Sequence, residues 1–113
     1  MHKSKYVLAI SALLVFGIVP VQGALKVVKI YDGDTVTMAD GMKIRLLQID
    51  APELAEGECF AKESKAALVN LLAKKGTIRL KADPASASYD RYGRALRYIF
   101  VGKVNVNLEM VKI

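Results

Sequence analysis

The sequence predicts a mainly β domain with one or two helices, built from five short strands with a helix inserted between the third and the fourth. Short runs rich in Val, Ile and Lys alternate with Gly, Asp and Pro turn signals. Only the stretch 60–75 switches to a helical period. Three strands, a helix, then two strands is the element order of an OB-fold, a partly open five-stranded β-barrel.

The domain follows a leader. Met1 to Lys5 carries Lys3 and Lys5, Tyr6 to Val19 is uncharged and apolar, and Val21-Gln22-Gly23 sets a small residue before Ala24. That is the pattern of a secretory signal peptide cut after Gly23. A membrane span needs roughly 20 apolar residues, and Pro20 interrupts this run too soon. The expectation is a signal peptide over 1–23, one domain over 24–113, and a product secreted or held in the periplasm.

Ala24 to Tyr31 stops at Asp32-Gly33, a turn or bulge signal, and reads as the first strand. Thr35 to Ala39 is the second. Asp40-Gly41 between two β-rich runs is a hairpin signal, and it pairs that strand with a third over Lys43 to Ile49. Asp50-Ala51-Pro52 ends the third strand, because proline cannot continue a ladder. Phe60, Ala67, Leu68, Leu71 and Leu72 share one helical face, with Lys62, Lys65 and Asn70 largely off it. They predict a helix over Phe60 to Lys75, closed by Gly76 as its C′ glycine. Thr77 to Lys81 and Leu96 to Val101 read as strands four and five, joined by a polar loop, and Asn107 to Ile113 begins a second helix.

The 113 residues carry 17 Lys+Arg and 11 Asp+Glu; without Lys3 and Lys5 the mature part keeps a surplus of +4. Such a surplus steers polyanions, and it also serves solubility. A chain this small buries only about 60 to 65% of its unfolded surface, so its stability margin is thin. Cys59 is the single cysteine, which excludes a disulfide within the chain. It reads as a buried small hydrophobe, or as a thiol with a partner elsewhere.

Charge placement carries the chemistry. Asp34 shares strand parity with Val36 and Met38, and Arg45 with Leu47 and Ile49, so each charge continues an apolar row. A charge there must be paired, hydrated at the barrel mouth, or bound to a ligand. An Asp34 to Arg45 ion pair is one reading. The other is a functional cluster: hairpin-linked strands bring Asp34 near the end of strand three, where Asp50 and Glu53 flank Pro52. Carboxylates of this kind suit Ca²⁺ or Mg²⁺, in an open site that admits a substrate oxygen; without suitable His or further Cys, they argue against zinc. The planar forks of Arg45 and of Arg94, after the Tyr92-Gly93 turn, suit a phosphate. Glu53 could take a proton from a water. Alone it would read as an ordinary exposed acid, or as one favouring the coming helix.

Three segments, "YDGDTV" (31–36), "IRLLQIDAPE" (44–53) and "DRYGRALRYIF" (90–100), resemble the staphylococcal nuclease family in order and approximate spacing. The likeness runs from Ala24 to about Lys112. The resemblance implies a calcium-dependent endonuclease on an OB-fold that cleaves DNA and RNA between phosphorus and the 5′ oxygen, leaving 3′-phosphate ends. It assigns Asp34 and Asp50 to the calcium site, with the backbone carbonyl of Ala51, where the family often has Thr. It makes Arg45 and Arg94 phosphate ligands and Glu53 the general base, in a protein expected to act as a monomer without membrane association. Tyr92 either contacts a nucleotide or packs on its own loop. Lys43, Arg91 and Arg97 either attract the nucleic-acid backbone or form a solvated face. Family members continue past the position of Ile113 with further helix, and in some relatives that tail is implied to hold a partner for the cysteine near Cys59. A non-catalytic OB-fold nucleic-acid-binding module, or an inactive truncated fragment, is the alternative; the presence of Asp34 and Glu53, which repel phosphate, favours the enzyme.

Overall fold

A computed structural model describes residues 24–113; the leader expected over 1–23 lies outside the described residues. The strands are β1 (Val27–Ile30), β2 (Thr35–Met38), β3 (Lys43–Leu46), β4 (Ile78–Lys81), β5 (Ala95–Val101) and β6 (Val104–Asn105), with helices α1 (Ala61–Leu72) and α2 (Val106–Val111). The sheet runs β1-β2-β3-β5-β4, with the two-residue β6 added to β5. The expected mainly β, OB-fold-like order is there, with α1 between β3 and β4.

Local chemistry sets the first hairpin. Gly41 takes a φ of 88°, its N–H donates to the Met38 carbonyl at 2.9 Å, and Asp40 Oδ1 accepts from the Met42 N–H at 2.9 Å. That turn fixes the β2 to β3 register, Thr35 opposite Arg45 and Thr37 opposite Lys43. β3 then pairs with β5 in parallel, Ile44 beside Ala95 and Arg45 beside Leu96, which brings the turn before β5 to the Lys43 end of β3. A parallel pair needs a long crossover, and α1 with β4 supplies it.

Val36, Met38, Ile44, Leu46, Leu68, Ala95, Ile99, Val101, Val106 and Met110 form the core. Burying each large side chain contributes about 1.5 to 3 kcal/mol against chain entropy. Asn107 is the polar residue that ties this core together. It is 3% exposed; its Oδ1 accepts from the Ile99 N–H at 2.9 Å, and its Nδ2 donates to the carbonyls of Leu47 and Arg97 at 3.0 and 3.1 Å. One amide therefore joins α2, β5 and the exit of β3.

Besides the added β6, the structure departs from the sequence expectations in several places. β3 stops at Leu46, not Ile49, because Gln48 takes a φ of 61° and turns the chain. With the strand cut there, Ile44 and Leu46 form the buried row, and Arg45 lies off it rather than continuing it through Leu47 and Ile49. α1 ends at Leu72 with Ala73 as its cap, so Gly76 is not the C′ glycine. Its role is close approach: a Cβ there would come within 2.7 Å of the Gly102 nitrogen. Phe60, expected on the buried helix face, is 70% exposed at the cap of α1. Cys59, expected inside, is exposed.

Candidate functional site

β2 opens on the first of the expected acids. Asp34 is 4% exposed, and both its oxygens are engaged: Oδ1 accepts from the Thr35 hydroxyl at 2.7 Å, and Oδ2 from the Ala51 N–H at 2.9 Å. Oδ2 also lies 3.2 Å from Arg45 Nη2, so the expected ion pair exists. A buried carboxylate held by three donors is compensated for its lost hydration.

Arg45 folds the chain around itself. Nη1 donates to the carbonyls of Leu46 at 2.9 Å and Ile49 at 2.7 Å, closing the turn at Gln48, while Nη2 reaches Asp50 Oδ1 at 3.4 Å as well as Asp34. Most of its donors are thus spent within the protein. Asp34, Arg45, Asp50 and Ala51 form one knot, in which Asp50 is the loose member with a side chain 94% exposed. Gly33 lets the knot close: a Cβ there would collide with Ser64 Oγ on α1 and come 2.8 Å from the Ala51 Cβ.

Glu53 and Arg94 sit elsewhere in the same mouth. They line a cavity of about 450 Å³ with Tyr31, Asp32, Thr35, Lys43, Leu54 and Ala55. Thr35 joins the two groups, since it lines the cavity and its hydroxyl holds Asp34. A larger cavity of about 660 Å³ between the 48–52 segment, the start of α1 and the end of α2 is mostly apolar. Asp50 and Ala51 border that one, whereas Glu53 and Arg94 line the smaller cavity.

Arg94 is presented by a tight turn. The Asp90 N–H donates to the Arg94 carbonyl at 2.9 Å, Gly93 takes a φ of 77°, and Asp90 Oδ1 accepts from the N–H groups of Tyr92 and Arg94, both at 2.9 Å. Asp90 Oδ2 takes Arg94 Nε at 2.6 Å, and among the described residues the two Nη groups have no hydrogen-bond partner. Burial pushes the Asp90 carboxyl up, but the hydrogen bonds from Arg94 and Tyr92 outweigh it and hold the group below its ordinary range. Tyr92 is 68% exposed beneath two guanidiniums, Arg91 at 4.8 Å and Arg94 at 5.4 Å from its ring centre. It does not line the cavity.

One acid was missed. Asp32 lines the cavity, and its Oδ1 accepts from the Asp34 N–H at 3.1 Å. Burial and the Asp34 carboxylate beside it push its pKa up to about 6. The signal was in "DGDT": acids two residues apart around a glycine, read only as a turn. The Glu53 carboxyl is also raised, first by Glu56, then by burial and Glu58. Hard oxygen donors with mutual repulsion fit a divalent cation in kind and in charge. Among the described residues, however, no three acids converge on one point, and Arg45 stands between Asp34 and Asp50.

A small open sheet with a helix across it, and a cavity lined by Asp32, Glu53, Lys43 and Arg94, defines an OB-fold-like domain. The chain belongs to the staphylococcal nuclease homologue family, whose pattern matches residues 43–113. It is 38% identical to an uncharacterized endonuclease of Haemophilus influenzae over 117 aligned residues, covering 96% of this chain and 62% of the relative. It is 31% identical to the thermonuclease of Staphylococcus hyicus over 94 residues, covering 77% of this chain and 54% of that protein. The chain thus spans between half and two thirds of the length of these curated relatives.

Proposed function

We propose that this protein is an exported, calcium-dependent endonuclease that hydrolyses phosphodiester bonds of DNA and RNA and leaves 3′-phosphate ends. The observation that carries the reading is the shared cavity of Glu53 and Arg94, floored by Thr35 on the Asp34 carboxylate. The unpartnered Nη groups of Arg94 grip a phosphate oxygen, and Arg45 adds positive potential from behind the knot. Glu53, whose carboxyl Glu56 raises above its ordinary range, takes a proton from a water as the water oxygen bonds to phosphorus. The bond from phosphorus to the 5′ oxygen breaks, and the leaving oxygen takes a proton from Arg94 or a water. Asp34 and Asp50, with the Ala51 carbonyl, would hold Ca²⁺ where Arg45 now stands between the two acids, and the ion when bound would supply Lewis-acid polarisation of the phosphate.

Export rests on the basic start and apolar run of residues 1–23, and the product is placed in the periplasm or medium as a monomer. The test is incubation of the purified protein with single-stranded DNA and RNA, with Ca²⁺ and then with chelator. Calcium-dependent cleavage, abolished in Glu53→Gln, is the expected result. Tight binding without cleavage would make the protein a binding module instead, a reading that the exposed Tyr92 under Arg91 and Arg94 favours.

A further inference from the structure

The cavity of Glu53 and Arg94 carries a feature that the chemistry above leaves unused. Lys29, Thr37 and Lys43 lie in one cross-strand row over β1, β2 and β3. Two like charges flanking a small threonine repel one another, and among the described residues neither lysine has an acidic partner within salt-bridge distance. Both turn toward one ring: Lys29 Nζ lies 4.3 Å and Lys43 Nζ 5.9 Å from the centre of Tyr31.

Tyr31 is half-buried, and its N–H donates to the Thr35 carbonyl at 2.9 Å. That bond holds the Tyr31 backbone, while Lys29 and Lys43 are exposed. The phenol lies below its ordinary range, drawn down first by the Thr37 hydroxyl and then, against burial, by the charges of Lys29 and Lys43. Tyr31 and Lys43 both line the cavity. Arg94, which also lines it, stacks on Tyr92 outside the cavity, so two units of the same kind, each an aromatic ring with two cations, adjoin the site: Tyr31 in its lining and Tyr92 beside it.

A single nucleotide needs one such unit; two suit a strand. We propose that Tyr31, Lys29 and Lys43 form a subsite for a nucleotide flanking the scissile phosphate, where a base of single-stranded nucleic acid stacks on Tyr31 and the lysines hold its phosphate. This rests on the nuclease reading and adds a binding position to it. Lys29 lifts from the ring to meet the phosphate, and the base takes its place. Stacking of this type tolerates any base, so the subsite favours length over sequence.

The test uses the full protein carrying Glu53→Gln, with Ca²⁺ and fluorescein-labelled dT8 or dT2, read by anisotropy across a salt series. The parent is expected to bind dT8 more tightly than dT2. Adding Tyr31→Leu weakens dT8 about tenfold, while Tyr31→Phe stays within twofold. Adding Lys29→Gln with Lys43→Gln lowers the slope of log affinity against log salt by about 1.4, or about 0.7 for each lost contact on a single strand. The lysines are exposed, so this pair decides the matter if Tyr31→Leu fails to fold. Unchanged slope and unchanged dT8 affinity, in a protein whose Glu53 form cleaves, would overturn the subsite alone and leave a structural cation–π cluster. A protein that neither binds nor cleaves would overturn the nuclease reading with it.

Discussion

The Asp34 carboxylate accepts a hydrogen bond from the Ala51 N–H at 2.9 Å, and this contact between residues seventeen apart in sequence holds the start of β2 against the segment that follows β3. The same oxygen faces Arg45 at 3.2 Å. Acid, guanidinium and backbone amide therefore stand or fall together.

Asp34→Ala should cost about 2 to 4 kcal/mol of stability. Loss of one partner from a buried pair costs about 3 to 5 kcal/mol, but Arg45 keeps the Leu46 and Ile49 carbonyls and so retains part of its compensation. A urea melt should show a lower midpoint at unchanged slope. A midpoint equal to that of the parent would mean that the knot contributes nothing to folding.

Asn107→Ala should unfold the protein or nearly so. Two buried partners, the Ile99 N–H and the Leu47 carbonyl, and the half-buried Arg97 carbonyl would lose their bonds, at about 1 to 3 kcal/mol for each buried group left unsatisfied. For a domain with so thin a margin, far-UV circular dichroism at 25 °C should already report the loss. A thermal midpoint within a few degrees of the parent would contradict this account.

Asp32 makes stability depend on pH. Its folded pKa of about 6 exceeds the ordinary 3.8, so the folded state holds a proton that the unfolded chain has released. Its stabilising contribution is fully present below about pH 4 and is lost as pH rises through 6. In chelator, Asp32→Asn should flatten the stability profile between those limits and raise the midpoint at pH 7. Added Ca²⁺ should narrow the difference between variant and parent by favouring the ionised acid.

Asp90 should matter through Arg94. Asp90→Asn keeps an oxygen for the N–H groups of Tyr92 and Arg94 but removes the charge that holds Nε at 2.6 Å. On the proposed chemistry, kcat should fall about tenfold with little change in thermal midpoint, and Asp90→Glu should restore part of it. A fall in stability with no fall in kcat would make the turn merely structural. The low carboxyl pKa, set against burial by the Arg94 and Tyr92 hydrogen bonds, means that this support persists in mild acid and fades only as pH drops below the ordinary carboxylate range.

Much of the fold was legible because its signals are local. Asp40-Gly41 sets a turn through its own dihedrals and one side-chain bond, and the apolar period of Leu68, Leu71 and Leu72 marks a helix in any context. Arg45 was misplaced on its row because alternation was carried past Leu46. The chain turns there under the pull of its guanidinium on two carbonyls, which no period records. Asn107 was read only as a helix start, since a lone polar residue gives no hint of three partners from two other segments.

The sequence by itself determined the order of strands and helices, the hairpin between β2 and β3, and which residue types gather in its three charged segments, because turn chemistry and side-chain period act over a few residues. Only the tertiary structure decided that Asp32, Glu53 and Arg94 share a cavity while Asp34, Arg45 and Asp50 bind one another beside it. The reason is reach: the parallel pairing of β3 with β5 joins residues about fifty apart, and which donors remain free depends on partners that no local pattern names.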